Sequence, residues 1–259
     1  MIFHIESKSN DKIKSAQKLL SSSSYRHEKG EFFLEGARLC YDAAISAVRI
    51  KQCFFTEKAR QKHGEKVEKV ISCAESAYSV SEDIADRLSD TKNPQGIFAV
   101  CAMPCDTAVT LESGKKYIAL ENIQDPSNLG AIIRTAEALG IDGAVLCSCC
   151  DIYNPKAQRA AMGSLLRLPL MITKDLSAVI SDCEKKGILT LATVPDSSAK
   201  KITQTDMSEG VLAVIGNEGS GVSQEIKALC EKVTIPMLGR AESLNASMAA
   251  AIVMWEIMR

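Results

Sequence analysis

The run Val211–Ile215 (VLAVI) has no polar side chain and stops abruptly at GNEGSG. An unbroken, β-branched apolar run of this kind reads as a strand buried on both faces. Such strands belong to α/β folds, in which helices cover a mostly parallel sheet. A second apolar run, Val233–Ile235, ends in the same way at PMLGRAESLNAS. Ligands in such sheets bind outside the carboxyl ends of the strands. Gly216, Gly219 and Gly221 let backbone come close to a ligand, and Glu218, Ser243 and Asn245 offer polar groups beside it.

The rest of the chain fits two α/β units. From the N-terminus, Ser9 or Asn10 can cap a helix running to about Leu20, and Ser21–Ser24 break it. Phe32–Leu34, Ile50–Thr56, Tyr78–Val80 and Ile97–Ala102 read as strands, and Val67–Ile71 as either strand or helix. Residues 1–103 are therefore expected to form a small α/β domain, with a linker over 104–116. A second domain over 117–259 begins with the strand Tyr117–Leu120, the loop ENIQDPSNLG and a helix closed by Gly140. It ends in a nearly all-apolar helix from Asn245 to Met258, which is either core or a subunit contact.

Several chemistries are excluded or disfavoured. No histidine follows His63, so the second domain cannot run Ser-His-Asp, Cys-His or histidine–metal chemistry from its own residues. No Lys-Ser/Thr follows Gly221, so GNEGSG is not a Walker phosphate loop, and no G-x-G-x-x-G follows the strand Tyr117–Leu120. The ten cysteines include C-x-C-C at 147–150 and C-x3-C at 101–105, neither of which has the paired spacing of a zinc site, so no metal is expected. No apolar run is long enough to span a membrane and the N-terminus has no signal-peptide pattern, which points to a cytoplasmic protein. Residues 1–60 carry 11 Lys/Arg against 7 Asp/Glu although the whole chain has a net charge of −1, so the N-terminal part is the half suited to a polyanion.

What remains is a set of loops carrying Asn128, Arg134, Glu218, Ser243 and Asn245, with hydrogen-bonding groups and one fixed cation but no nucleophile–base pair. That set suits transfer of a group from a cofactor that brings its own reactivity. In this light the chain resembles the SpoU (TrmH-like) branch of the SPOUT RNA methyltransferases. Three motifs appear in order: ENIQDPSNLGAIIRTAEALG with Asn128, Gly130, Arg134 and Thr135, then AVIGNEGSGVS, then IPMLGRAESLNASMAAAI. The N-terminal part resembles the L30e-like substrate-binding domain, best over GEFFLEGARL.

The resemblance implies S-adenosylmethionine-dependent 2′-O-methylation of ribose in RNA. It also implies a Rossmann-like, mostly parallel sheet with a trefoil knot in the C-terminal domain, and homodimerisation through that domain. Ribosomal RNA is the preferred substrate and transfer RNA the alternative, with DNA and membrane excluded as partners. By the same resemblance Arg134, Asn128, Glu218, Ser243 and Asn245 are catalytic, and Thr193, Gly216, Asn217, Gly221, Ile235, Leu244 and Asn245 bind the cofactor. Arg26, Lys29 and Arg38 are the candidate RNA contacts of the first domain, with Tyr25 and Phe32 near for stacking. The plainer readings are that Arg134 pairs with Glu137 or Glu121, that Ser243 or Asn245 caps the last helix, and that the whole is a non-catalytic RNA-binding protein.

Overall fold

The computed structural model describes residues 2–104 and 109–259, which divide into two compact units. Cys105 of the C-x3-C pair lies outside the described residues.

The first unit holds a five-stranded mixed sheet in the order β1-β4-β3-β5-β2, made of β1 (Ile2–Ile5), β2 (Glu31–Glu35), β3 (Ile50–Phe55), β4 (Ala74–Val80) and β5 (Ile97–Ala102). Helices α1 (Asp11–Ser21), α2 (Ser23–Lys29), α3 (Ala37–Ile45), α4 (Glu57–Cys73) and α5 (Glu82–Leu88) complete it. Asn10 caps α1 by accepting from the Lys12 N–H, and Ser22 both ends α1 and caps α2. One side of the sheet is sealed by Ile13, Ala16 and Leu19 of α1 and Ile84, Ala85 and Leu88 of α5 over Phe33, Phe54 and Phe98. The segment 67–71, open between strand and helix in the sequence, is helical and belongs to α4.

The second unit holds a seven-stranded sheet, order β10-β12-β9-β11-β6-β7-β8, in which every described pairing is parallel. Its strands are β6 (Lys116–Glu121), β7 (Gly143–Cys147), β8 (Leu170–Thr173), β9 (Leu189–Thr193), β10 (Lys200–Lys201), β11 (Val211–Ile215) and β12 (Glu231–Thr234). Helices α6 (Pro126–Leu139), α8 (Leu176–Lys185), α9 (Gln224–Leu229) and α10 (Ala246–Met258) pack around it. β11 is central and fully buried, as its unbroken apolar run requires.

Two segments depart from the expected division. Val109 and Leu111 are buried in the core of the second unit, so residues 109–116 belong to that unit and do not act as a free linker. Tyr153–Leu166, expected in the second domain, groups with the first unit through α7 (Pro155–Ala161). There the buried Gln158 amide donates to the carbonyls of Phe33 and Tyr153 at 2.9 and 2.7 Å, and the Tyr153 ring lies 4.5 Å from that of Phe32. Among the described residues no helix is long and apolar enough to cross a membrane.

Candidate functional site

Four adjacent strands of the second unit, β12, β9, β11 and β6, run parallel and send their carboxyl ends into loops on one edge of the sheet. A cleft of about 220 Å³ opens there, lined by Thr193, Pro195, Ile215–Val222, Ile235, Met237, Ser243 and Leu244 among others. Of the residues expected to bind the cofactor, Thr193, Gly216, Asn217, Gly221, Ile235 and Leu244 all line this cleft. Asn245 does not line it and stands one residue beyond Leu244, as the cap of α10.

The loop after β11 is a tight hairpin. Asn217 and Gly221 exchange backbone hydrogen bonds at 3.1 and 2.9 Å. The Asn217 side chain serves the loop itself: its Oδ1 accepts from the N–H groups of Gly219 and Ser220, and its Nδ2 donates to the Asn122 carbonyl at 2.8 Å. Asn217 therefore contributes to the cleft by shaping it. Asn122, in the left-handed region at φ 57°, turns the chain out of β6 so that its carbonyl meets this amide.

Glu218 projects from the same hairpin onto the N-terminus of α6. Its carboxylate accepts from the Gln124 and Asp125 N–H groups at 3.3 and 3.2 Å and from Asn128 Nδ2 at 3.0 Å. Burial pushes the Glu218 carboxyl up, but these hydrogen bonds outweigh it and hold it below its ordinary value. The positive end of the α6 dipole favours the same charged form. Asn128 passes the connection on: its Oδ1 accepts from Asn245 Nδ2 at 3.2 Å. The Asn245 Oδ1 accepts from Ser247 N at 2.9 Å and Met248 N at 3.3 Å, so Asn245 caps α10 and links to Asn128 at once. Glu218, Asn128 and Asn245, far apart in sequence, thus form one hydrogen-bonded chain at the cleft.

A carboxyl with a lowered folded value adds stability that is complete above its ordinary value of 4.5 and is lost as pH falls through the folded value. Glu218→Gln should therefore lose less thermal stability than the parent protein between pH 5 and pH 3. The pH–rate profile of the parent between pH 6 and 9 should show no ionisation that E218Q removes. A base-catalysed limb that disappears in E218Q would show that Glu218 takes a proton, contrary to its hydrogen bonding.

Ser243 lines the cleft and makes no hydrogen bond with the described residues. Arg134 stands apart from the hydrogen-bonded chain. It is exposed on α6 and makes no hydrogen bond or ion pair with the described residues. The two acids that could have paired with it are engaged elsewhere: Glu137 with Arg167 at 2.9 Å, and Glu121 with the Ser223 N–H at 2.8 Å.

In the first unit the expected RNA contacts divide. Arg26 is 2% exposed, and its guanidinium donates to the Leu19 and Leu20 carbonyls at the end of α1, at 2.6 and 3.2 Å. Its side chain closes the end of α1 from within and is buried away from the surface an RNA contact needs. Phe32 is likewise buried, so it offers no stacking face. Lys29 and Arg38 are exposed, and the Lys29 ammonium lies 5.5 Å from the centre of the Tyr25 ring, with Lys18 at 5.6 Å.

Lys227, which lines the cleft from α9, was not legible in the sequence, where a lysine on a short polar helix reads as solvated. Cys149 and Cys150 are held as thiols. Burial pushes Cys149 up to about 12 and Cys150 up to about 11, and Cys149 Sγ donates to the Leu120 carbonyl at 3.2 Å. Among the described residues no group of three His, Cys, Asp or Glu side chains is arranged to hold a metal ion.

The cleft suits an adenosine-bearing cofactor. Val194, Ile215, Val222 and Leu244 offer apolar walls, the glycines expose backbone groups, and Glu218 and Ser243 supply polar ones. Comparison with known proteins agrees. Residues 115–255 match the SpoU rRNA Methylase family and residues 10–99 the MRM3-like substrate binding domain. The chain is 33% identical over 258 residues to the 23S rRNA (guanosine(2553)-2′-O)-methyltransferase RlmP of Bacillus subtilis, with 98% of each chain covered. It aligns at TM-score 0.88 and 26% identity with an AdoMet-bound rRNA methyltransferase from Sinorhizobium meliloti, covering 99% of this chain and 97% of that one. A second AdoMet complex, the SpoU methyltransferase AviRb from Streptomyces viridochromogenes, aligns at TM-score 0.86 and 26% identity, covering 96% and 97%. Loop geometry, cleft and full-length likeness converge: the chain belongs to the SpoU rRNA methylase family and is an S-adenosylmethionine-dependent RNA ribose 2′-O-methyltransferase.

Proposed function

We propose that this enzyme methylates a ribose 2′-hydroxyl of large-subunit ribosomal RNA in the cytoplasm. The observation that carries the reading is the Glu218–Asn128–Asn245 chain, which ties the hairpin after β11, beside the cleft, to the first turn of α6 and the cap of α10. RlmP acts on 23S rRNA, and the first unit matches a substrate-binding domain, both of which favour ribosomal RNA. The domain roles follow: the first unit, which includes Tyr153–Leu166, holds the RNA, with Lys29 and Arg38 as contacts, and the second unit carries out transfer. Mapping 2′-O-methyl positions in total RNA with and without the gene tests the assignment. Loss of a methyl group from 23S rRNA is expected; loss confined to transfer RNA would overturn the substrate.

When bound, S-adenosylmethionine supplies an activated sulfonium methyl. The protein's part is to hold the cofactor and present the hydroxyl in line, which can provide much of the rate. Thr193, Gly216, Gly221, Ile235 and Leu244 line the cofactor's side of the cleft. Ser243, with its hydroxyl unpaired, orients the ribose. Asn128, Glu218 and Asn245 keep the loops in register. Glu218 is too weak a base to remove the ribose proton at neutral pH. A guanidinium is a poor base, so Arg134 acts by binding phosphate and stabilising developing alkoxide charge.

The same reading includes a homodimer and a knotted chain. Met248, Ile252 and Trp255 recur at helical spacing on α10 and are 58%, 42% and 63% exposed, an apolar stripe of the kind a partner covers. Trp255→Lys should convert a dimer to a monomer in sedimentation velocity; a strictly monomeric parent protein would remove this part of the proposal. Support for the knot is the path of the chain. It leaves β11, passes β9 to form β12, and returns as α10 to pack on α6 and β11.

A further inference from the structure

Among the residues that line the cleft, Glu218 and Lys227 carry the charges. Glu218 is committed to the N-terminus of α6 and to Asn128. Lys227 is half-buried on α9 and makes no ion pair with the described residues. It also lines an adjoining hollow of about 340 Å³, but the acid there, Glu121, accepts from the Ser223 N–H and does not pair with it. A half-buried ammonium without an anion carries a desolvation cost that an incoming anion would offset. The cofactor has one anionic group, the carboxylate of its methionine moiety.

We propose that Lys227 binds the carboxylate of the methionine moiety and so discriminates full-length S-adenosyl ligands from adenosine fragments. The inference rests on the cleft being the cofactor site. It assigns Lys227 to binding, outside the reacting atoms.

The test uses two probes in calorimetry, S-adenosylhomocysteine, which has the carboxylate, and 5′-methylthioadenosine, which lacks it. Lys227→Met should weaken S-adenosylhomocysteine about tenfold, the scale of one charge-assisted hydrogen bond, and leave 5′-methylthioadenosine within twofold. Lys227→Arg, which keeps the charge, should retain most of the affinity for S-adenosylhomocysteine. Equal weakening of both probes would mean that Lys227 serves the adenosine or the fold, and unchanged affinity for both would mean that it touches neither; each overturns the proposal. A parent protein that binds neither probe would overturn the cofactor site itself, a result distinct from any pattern among the variants.

Discussion

Arg134→Ala should reduce methyl transfer roughly 10²–10³-fold, the usual cost of removing one preorganised electrostatic group, while cofactor affinity stays unchanged. The structure makes the two effects separable. Arg134 is exposed and has no partner among the described residues, so its removal breaks no folded contact and stability should hold within about 0.5 kcal/mol. It lies outside the lining of the cleft, so affinity for S-adenosylhomocysteine should also hold. Arg134 lies six positions along α6 from Asn128, about 9 Å along the helix axis, and its side chain is exposed. Arg134→Lys keeps the charge but loses the planar fork that grips phosphate with two hydrogen bonds, so it should fall between the parent and the alanine variant. Single-turnover transfer of labelled methyl, beside calorimetry of S-adenosylhomocysteine, measures both. Transfer by the alanine variant within twofold of the parent would remove Arg134 from the mechanism. Loss of cofactor affinity together with transfer would reassign it to the cofactor site.

How much of this was legible in the sequence varied by residue for physical reasons. β5 and β11 are short apolar runs bounded by turn residues, and their limits were readable to the residue. β1 was missed because it is a four-residue edge strand with Ile2 and Phe3 exposed, and it lacks the buried pattern that marks a strand. α4 was ambiguous because its buried side chains are sparse (Ala59, Val67 and Val70) and Gly64 interrupts its helical geometry. Arg26 was misread because its partners are backbone carbonyls, which leave no trace in side-chain patterning. The placement of Tyr153–Leu166 with the first unit depends on contacts such as Gln158 to Phe33, more than a hundred residues apart, which local pattern cannot report. In the site, glycine spacing marked the loop after β11. The meeting of Asn128 with Glu218 and Asn245 was reached only through the family motifs, because each is an ordinary polar residue in its own segment. The structure adds the connection itself and shows that Asn245 serves as both cap and link.

Gly216→Ala should abolish measurable binding of S-adenosylhomocysteine and lower the melting temperature of the second unit, and a glycine series in the same loop isolates the cause. A Cβ at position 216 would overlap the Gly221 carbonyl carbon and the Val222 nitrogen, both of them backbone atoms of the returning strand of the hairpin. Neither can swing aside as a flexible side chain would. The hairpin must open, and opening breaks the paired hydrogen bonds between Asn217 and Gly221. Because Asn217 and Glu218 sit within it, their bonds to Asn122, Gln124, Asp125 and Asn128 are disturbed as well. A loss of about 2–3 kcal/mol corresponds to roughly 5–10 °C in a unit of this size. The other two glycines have different requirements. Gly221 adopts φ +68° with open space around its missing Cβ, so alanine there costs only the left-handed backbone penalty of about 1–2 kcal/mol. Gly219 has ordinary φ, and a Cβ there would approach only Asn217 Oδ1, at 3.6 Å. The expected order of damage to binding is therefore Gly216→Ala, then Gly221→Ala, with Gly219→Ala within twofold of the parent. Calorimetry and thermal unfolding of the three variants decide it. If Gly219→Ala proves as harmful as Gly216→Ala, the loop's flexibility and not the close backbone crossing is what binding requires. If Gly216→Ala binds as the parent does, the cleft formed by this hairpin is not where the cofactor sits.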